Sequence, residues 1–341
     1  MLRKKMLNVI LSMMMCMALC GSEFAGSDSI VEEREQTGES ESGPATLVVF
    51  WNLENFFDWE DGGAGESDKE FSSGGLRHWT ATKFYRKANL VAKTFFWMKD
   101  KHGRMPDVAG FAEVENKSVV TRLIFNTLLR KYGYSAIHRE SLDHRGIDVA
   151  LIYRRDSLRL MNHGIRRLDS MFTRDILFAD FEDLRDGKRK VFAVNHFPSK
   201  YGGGETGSRR EAASIALKSL CDSLISRKVT VVVAMGDFND VPSAEAFARL
   251  SPLLVNVSEE LDKKGEGTIR FNGKWNLIDM FWTTADLADS TLMHIVKIPF
   301  LMVRDRQMSG EKPLRTYLGP RYAGGVSDHC PVVLEIYCRK K

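Results

Sequence analysis

Carboxylates, amides and imidazoles stand where the apolar β-type runs of this 341-residue chain end. Asn52 and Glu54 follow Val48-Val49-Phe50-Trp51, and Glu113 follows the run 108–112. Asn195 and His196 close the run 191–194, and Asp237 and Asn239 come after 231–235. Asp279 sits inside 277–282, and Asp328 and His329 precede the last run, 332–337. Open α/β sheets bind ligands where strands end. Six segments that each bring a polar, chemistry-bearing side chain to such an end therefore point to one shared site.

The residue types suit hydrolysis of a phosphoester. An incoming water must overcome the negative charge on the phosphate, and a hard cation held by oxygen ligands relieves that repulsion. Magnesium takes few protein carboxylates and keeps waters. Glu113 is the leading ligand, with Asp328 and Asn52 or Glu54 completing the sphere, and Mn2+ or Ca2+ are the alternatives to Mg2+. Asp237 is suited to orient or activate the water, and Asn239 to hold the water or a phosphoryl oxygen. A histidine beside a carboxylate stays protonated and can donate to a charge-rich transition state. His329 with Asp279 is the natural pair, and His196 is a second phosphate donor. Arg145 either reaches a phosphate or salt-bridges locally with Asp148. Lys200, with Arg209 and Arg210 beside the Gly-rich stretch 202–204, either contacts a nucleic-acid backbone or opens a solvated helix.

Taken singly, each residue has a plainer reading. Asn52 could cap a turn, and Gly236-Asp237-Phe238-Asn239 has ordinary turn composition. The constellation carries the functional reading. Trp79, Tyr85, Trp97 and Trp275 read as packing. His78, His102, His138, His144, His163 and His294 show no ligand spacing, and the chain has no CxxC pattern, so no structural zinc is expected.

The same segments carry a resemblance. The stretch 51–58, Trp-Asn-Leu-Glu-Asn-Phe-Phe-Asp, resembles the opening motif of the endonuclease/exonuclease/phosphatase superfamily. Ala112-Glu113-Val114-Glu115-Asn116 is similar to its metal-binding Glu motif. The stretch 195–200, Gly236-Asp237-Phe238-Asn239-Asp240 and Ser327-Asp328-His329 resemble the next three, in the family's order. The resemblance implies an α/β (α+β) fold, a four-layer sandwich of two packed mixed β-sheets flanked by helices. It also implies Glu113 as principal metal ligand, Asn52 and Glu54 in the metal and phosphate pocket, and Asp328 at the metal. Asp237 would position or deprotonate the water with Asn239 beside it, and Asp279 and His329 would form the carboxylate–imidazole pair. The opening motif, Arg145-Gly146-Ile147-Asp148-Val149-Ala150 and Asn195-His196-Phe197-Pro198-Ser199-Lys200 look most like the secreted bacterial nuclease branch. The family's intracellular repair endonucleases place a Tyr before the strand that leads to the Asn motif. Here that approach reads Gly187-Lys188-Arg189-Lys190, so neither that Tyr nor abasic-site specificity carries over.

The elements that must position these residues are short strands alternating with helices. Strands are expected over 46–51, 108–111, 149–153, 190–194, 229–235, 278–282 and 332–337. Helices are expected over 80–99, 118–132 with Ser118 as N-cap, and 209–226. Two irregular loops, 58–78 and 199–208, are long enough to be functional. Ahead of the catalytic domain, 45–341, two segments differ in kind. Residues 1–26 have the layout of a secretory signal: Arg3-Lys4-Lys5, an apolar run over 6–19, then small residues. An uncleaved anchor is the alternative, although the run is short for a membrane span. Cys20 before Gly21-Ser22 suggests a lipid anchor, but Leu19 is larger than the preceding position usually takes. Residues 27–44 are Ser-, Gly- and Glu-rich and read as a tether. Cys330 and Cys338 are too far apart along one strand to pair, so at most Cys221 pairs with one of them.

Composition decides less. With 43% hydrophobic and 28% charged residues the chain can build a sizeable core. The formal charge of +4 lies largely at the N-terminus, so charge permits a polyanionic substrate without demanding one. The expected function is a secreted, periplasmic or cell-surface endonuclease that hydrolyses DNA or RNA. Nucleic acid is its only implied partner, and the membrane enters only through the N-terminal anchor. The alternative is a phosphatase or phospholipase C-like hydrolase of inositol phosphates or sphingomyelin, with Phe281-Trp282 and Phe300-Leu301 as membrane-facing candidates. A catalytically dead binding protein on the same scaffold is the third reading, which the intact residue set opposes.

Overall fold

The computed structural model describes residues 45–338 except 64, 169–172, 201–205, 230 and 252. The expected signal over 1–26 with Cys20, the expected tether over 27–44 and most of the Gly-rich stretch lie outside the described residues. In chain order the strands are β1 (Thr46–Phe56), β2 (Val108–Val114), β3 (Tyr134–His138), β4 (Asp148–Arg154), β5 (Leu158–Arg166) and β6 (Ile176–Asp183). They continue with β7 (Arg189–His196), β8 (Val231–Asp237), β9 (Leu254–Asn256), β10 (Ile269–Phe271), β11 (Lys274–Asn276) and β12 (Asp279–Thr284). The last are β13 (Thr291–Ile295), β14 (Met302–Arg304), β15 (Glu311–Pro313), β16 (Tyr317–Leu318), β17 (Arg321–Tyr322) and β18 (Val332–Ile336).

Two six-stranded sheets result, ordered β13-β18-β1-β2-β4-β3 and β5-β6-β7-β8-β12-β9. Both are mixed: β1/β2 and β7/β8 are parallel, and the other main-sheet pairs are antiparallel. Side chains alternate across each strand. Val48 and Phe50 of β1 meet Val194, Val233 and Met235 of the other sheet, while Leu47, Val49 and Trp51 face outward. The outward set packs under the helices Ala81–His102 and Lys117–Phe125. On the second sheet, Val232 and Ala234 face the helix Thr206–Ser226 through Ala213, Leu217 and Cys221. Because both faces of each sheet are covered, the central strands are continuous apolar runs. The layers run helix, sheet, sheet, helix, as expected.

Several local expectations change. The helix expected over 118–132 is broken into Lys117–Phe125 and a 3-10 turn, Leu128–Tyr132. Its cap is Asn116, not Ser118: Asn116 Oδ1 accepts from the Val119 N–H at 3.0 Å. Thr127 caps the second piece by accepting from the Leu129 N–H at 3.2 Å. The loop 58–78 contains a short helix, Glu66–Glu70. Strands β3, β5, β6, β9–β11 and β13–β17 were not expected. Cys221, Cys330 and Cys338 are all free.

One glycine governs how closely the site-bearing strands approach. Gly236 lies opposite Asn195 in the β7/β8 ladder. A Cβ there would fall 2.4 Å from the Asn195 carbonyl oxygen and 2.7 Å from its Cβ. Asn195 in turn closes over the strand, donating to the Met235 carbonyl at 3.1 Å. Gly236→Ala is expected to cost roughly 1–3 kcal/mol in urea unfolding, because backbone must move. Gly110→Ala is expected to cost less. Its Cβ would meet the flexible Met235 side chain, and Val194, at 3.0 Å. Equal costs would contradict this account of the strand spacing.

Candidate active site

The two parallel pairs and their antiparallel neighbours deliver every expected residue to one pole of the sandwich. Asn52, Glu54, Glu113, His196 and Asp237 lie at the C-terminal ends of β1, β2, β7 and β8. Asp279 opens β12 directly opposite Asp237, and His329 leads into β18. The strand ends are not regular. Pairing slips between Asn52 and Phe56 and between Ala112 and Val114. Glu54, Asn55, Glu113 and Asn239 all have positive φ, from 46° to 60°. Such backbone costs energy in non-glycine residues and gathers at functional sites. Bulges of this kind re-aim side chains at a sheet rim, and here they turn Glu54 and Glu113 toward the pole.

At the centre, the His329 ring lies 2.8 Å from Asp279 through Nδ1 and 3.9 Å from Asp237 Oδ2 through Nε2. Burial alone would lower the His329 pKa, but Asp279, with Asp237 and Asp328, holds it well above its usual value. The ring is therefore a cation. Burial pushes Asp237 up to about 7, opposed by His329 and by hydrogen bonds from Asn52 and Asn239. Asn52 Nδ2 donates to Asp237 Oδ2 at 3.0 Å and to Glu113 Oε1 at 3.5 Å. Its oxygen accepts from the Glu54 N–H at 2.9 Å. The amide nitrogen of Asn239 donates to Phe197 O at 2.9 Å. His196 lies 3.6 Å from Asp237 Oδ2, and burial holds it well below its usual pKa, helped by Arg174, Arg145 and His329. The ring is neutral, and its buried Nδ1 has no partner among the described residues.

Beside this centre, Glu113 accepts from the Asn55 N–H at 2.9 Å, and Glu54 accepts from the Thr316 N–H at 3.1 Å. Two cations missed in the sequence neutralise the cluster. Arg315 bridges Glu54 at 2.7 Å and Asp328 at 3.1 Å. Lys87, fully buried, donates to the Glu54 carbonyl at 2.7 Å and to Thr316 Oγ1 at 2.9 Å. Burial lowers Lys87 to about 8 against the pull of Glu54, Glu113 and Asp328. Lys87 had a signal: its spacing from Phe84 and Val91 places it on the helix's apolar stripe. Arg315 had none, since it lies 261 residues from Glu54 in an irregular segment.

Glu54, Glu113 and Asp328 offer hard oxygens of the kind a divalent cation takes. Burial, then Asp328, pushes Glu54 up to about 7, the response of a carboxylate in a negatively crowded place. Donor atoms of Asp237, Asp279 and His329 also lie within 4.8 Å of one another, but a protonated imidazole has no lone pair for a metal, so the carboxylates are the candidate ligands. The residues present therefore fit a divalent metal. Arg145 comes within 3.8 Å of Glu113 and of Asp143. Its local-pairing alternative, Asp148, is held instead by Ser141 and by His138 at 3.2 Å. Lys200 pairs with Asp240 at 2.5 Å, and Arg210 joins it at 3.1 Å. Phe281 and Trp282 are buried and Phe300 packs against the core, so neither pair forms an exposed hairpin.

A family model described as the Endonuclease/Exonuclease/phosphatase family matches residues 47–338. No curated protein sequence matches at a significant level. Among solved structures, a mannosyl-6-phosphatase from Bacteroides thetaiotaomicron is 17% identical, with a TM-score of 0.56 over 86% of this chain and 100% of that one. The human Nocturnin catalytic domain with bound sulfate is 17% identical, with a TM-score of 0.53 over 85% and 94%. D. rerio TDP2 complexed with single-strand DNA product is 13% identical, with a TM-score of 0.53 over 85% and 97%. At these identities the likeness is one of fold.

Two outcomes follow from burying these carboxylates beside one another. Unfolded carboxylates titrate near pH 4, whereas folded Glu54 and Asp237 titrate near 7 and Glu115, mainly through burial, near 8. The native state binds the extra protons, so the stability these groups contribute is complete below about pH 4 and is lost as pH rises through 7–8. Calorimetry of chelator-treated protein should show the melting temperature falling from pH 5 to 8.5. Glu54→Gln should flatten the fall, and a flat profile in the parent would contradict it. Separately, Arg315→Ala removes a cation that competes for Glu54 and Asp328. It should tighten Mn2+ binding about tenfold, or ~1.4 kcal/mol, by titration calorimetry.

Proposed function

This chain belongs to the endonuclease/exonuclease/phosphatase family, and from that premise we propose that it is a secreted, divalent-metal-dependent phosphodiesterase acting on nucleic acid. The observation that carries the chemistry is the buried Asp237–His329–Asp279 group, a carboxylate beside an imidazolium beside a second carboxylate. Asp237, ionised at the top of the neutral range, orients a water and accepts its proton. His329, fixed by Asp279 and kept charged, donates from Nε2 to a phosphoryl oxygen as negative charge grows there. His196 donates as a neutral imidazole. Asn52 ties Asp237 to Glu113 and so fixes the water-orienting carboxylate relative to the metal ligands. Glu113, with Glu54 and Asp328, would hold Mg2+, which supplies charge neutralisation at the phosphate. Arg145, 35% exposed beside Glu113, is placed to meet a neighbouring phosphate. Export is supported by the basic start, apolar run and small residues of 1–26.

A second reading has its own observation. A cavity of ≈ 280 Å³ next to Glu54 is lined by Arg77, Arg315 and Tyr317. Its size and cations suit a small phosphorylated molecule as well as a nucleotide unit.

Plasmid DNA, single-stranded RNA, sphingomyelin, a sugar phosphate and an inositol polyphosphate, each with Mg2+, Mn2+ or chelator, separate the readings. The expected result is metal-dependent cleavage of nucleic acid. Glu113→Ala and His329→Ala should each lower the rate by about 100-fold or more. Retained cleavage in both variants overturns the site assignment. Release of phosphate from the small molecules alone moves the function to the second reading.

A further inference from the structure

At the far end of β18 from His329, one carboxylate is held between two imidazoles that the chain keeps 192 residues apart. Glu335 points to the helix side of its sheet, as Val333 does, and is 1% exposed. His102, the last residue of the helix Ala81–His102, places Nδ1 2.8 Å from Glu335 Oε1. His294, on the edge strand β13 and opposite Val333 in the ladder, places Nε2 3.0 Å from Oε2. Tyr337 donates its hydroxyl to the same oxygen at 2.8 Å.

We propose that His102, His294 and Glu335 form a zinc site, separate from the candidate active site, that clamps the long helix to β18 and β13. Two imidazoles and a carboxylate are ligands that zinc accepts, and imidazole nitrogen discriminates against magnesium and calcium. The geometry is close to that needed. Their donor atoms all lie within 4.8 Å of one another. Two imidazoles bound tetrahedrally at about 2.0–2.1 Å place their ring centres about 5 Å apart, and these centres are 5.5 Å apart. Side-chain exposures of 6% for His102 and 17% for His294 leave a route for the ion and for a water as fourth ligand. On binding, each ring nitrogen that now faces Glu335 gives up any proton it carries, to solvent or to the other ring nitrogen. Both histidines hold Glu335 well below the usual carboxylate range against its burial, so the oxygen donor is already ionised. Spacing rules miss such a site because its ligands come from a helix end and two separate strands.

The clamp would act on the candidate active site only at a distance. Lys87, on the same helix, lies about 22 Å along the axis from His102.

Co2+ is the probe, on chelator-stripped full-length chain, because a tetrahedral nitrogen–oxygen site gives it visible absorption. One equivalent should bind with that absorption and be displaced by Zn2+. The bands should persist in Glu113→Ala and His329→Ala and vanish in Glu335→Gln and in His294→Asn. His294→Asn alters the more exposed ligand on an edge strand, and its fold is checked by circular dichroism. With the active-site ligand removed in Glu113→Ala, Zn2+ should raise the melting temperature by about 5 °C or more, and adding His294→Asn to that variant should abolish most of the rise. Absence of visible bands in the parent, or bands that survive in His294→Asn and vanish in His329→Ala, would overturn the site and leave a hydrogen-bonded His–Glu–His bridge.

Discussion

The structure turns on the crowding of carboxylates at one buried pole. Glu54, Glu113, Asp237, Asp279 and Asp328 converge where four strands end and two begin, and three of them are almost fully buried. Unpaired buried charge is costly, so the surrounding structure supplies cations: Lys87 from below, Arg315 from the rim, and His329 at the centre. Protons take up the remainder, with Glu54 and Asp237 raised to about 7. A pole arranged in this way would exchange protons for a divalent cation near neutral pH, as the proposed function requires.

Much else in the fold serves that convergence. Parallel pairing of β1 with β2 and of β7 with β8 sends their C-terminal ends the same way. Antiparallel β12 and β18 bring their starts to the same place. Bulges and left-handed residues then turn Glu54 and Glu113 inward. Trp51 and Ser327 lock the last segment to the first: Trp51 Nε1 donates to the His329 carbonyl at 2.9 Å, and Ser327 Oγ donates to the Asn52 carbonyl at 2.6 Å.

The site's centre was legible because its residues follow apolar runs, and such runs mark central strands whose faces are both covered. The edge strand β5 was not, because its apolar residues, Leu158, Leu160, Met161 and Ile165, do not alternate with its polar ones and all but Leu158 are partly or fully exposed. Asn116 and Ser118 are both fitting caps, and only the path of the chain out of β2 decides between them. Arg315 and the His102–His294–Glu335 group depend on tertiary contact between distant segments, which no local pattern encodes. Lys87 was legible in principle, since a lysine on an apolar stripe must find a buried partner.

The most direct test of the central claim is proton release on Mn2+ binding near pH 7, measured by titration calorimetry in buffers of different ionisation enthalpy. Release of protons in the parent, reduced in Glu54→Gln and Asp237→Asn, is the predicted result. Binding with no proton release, or no binding at the pole, would contradict the exchange on which the proposed hydrolysis rests.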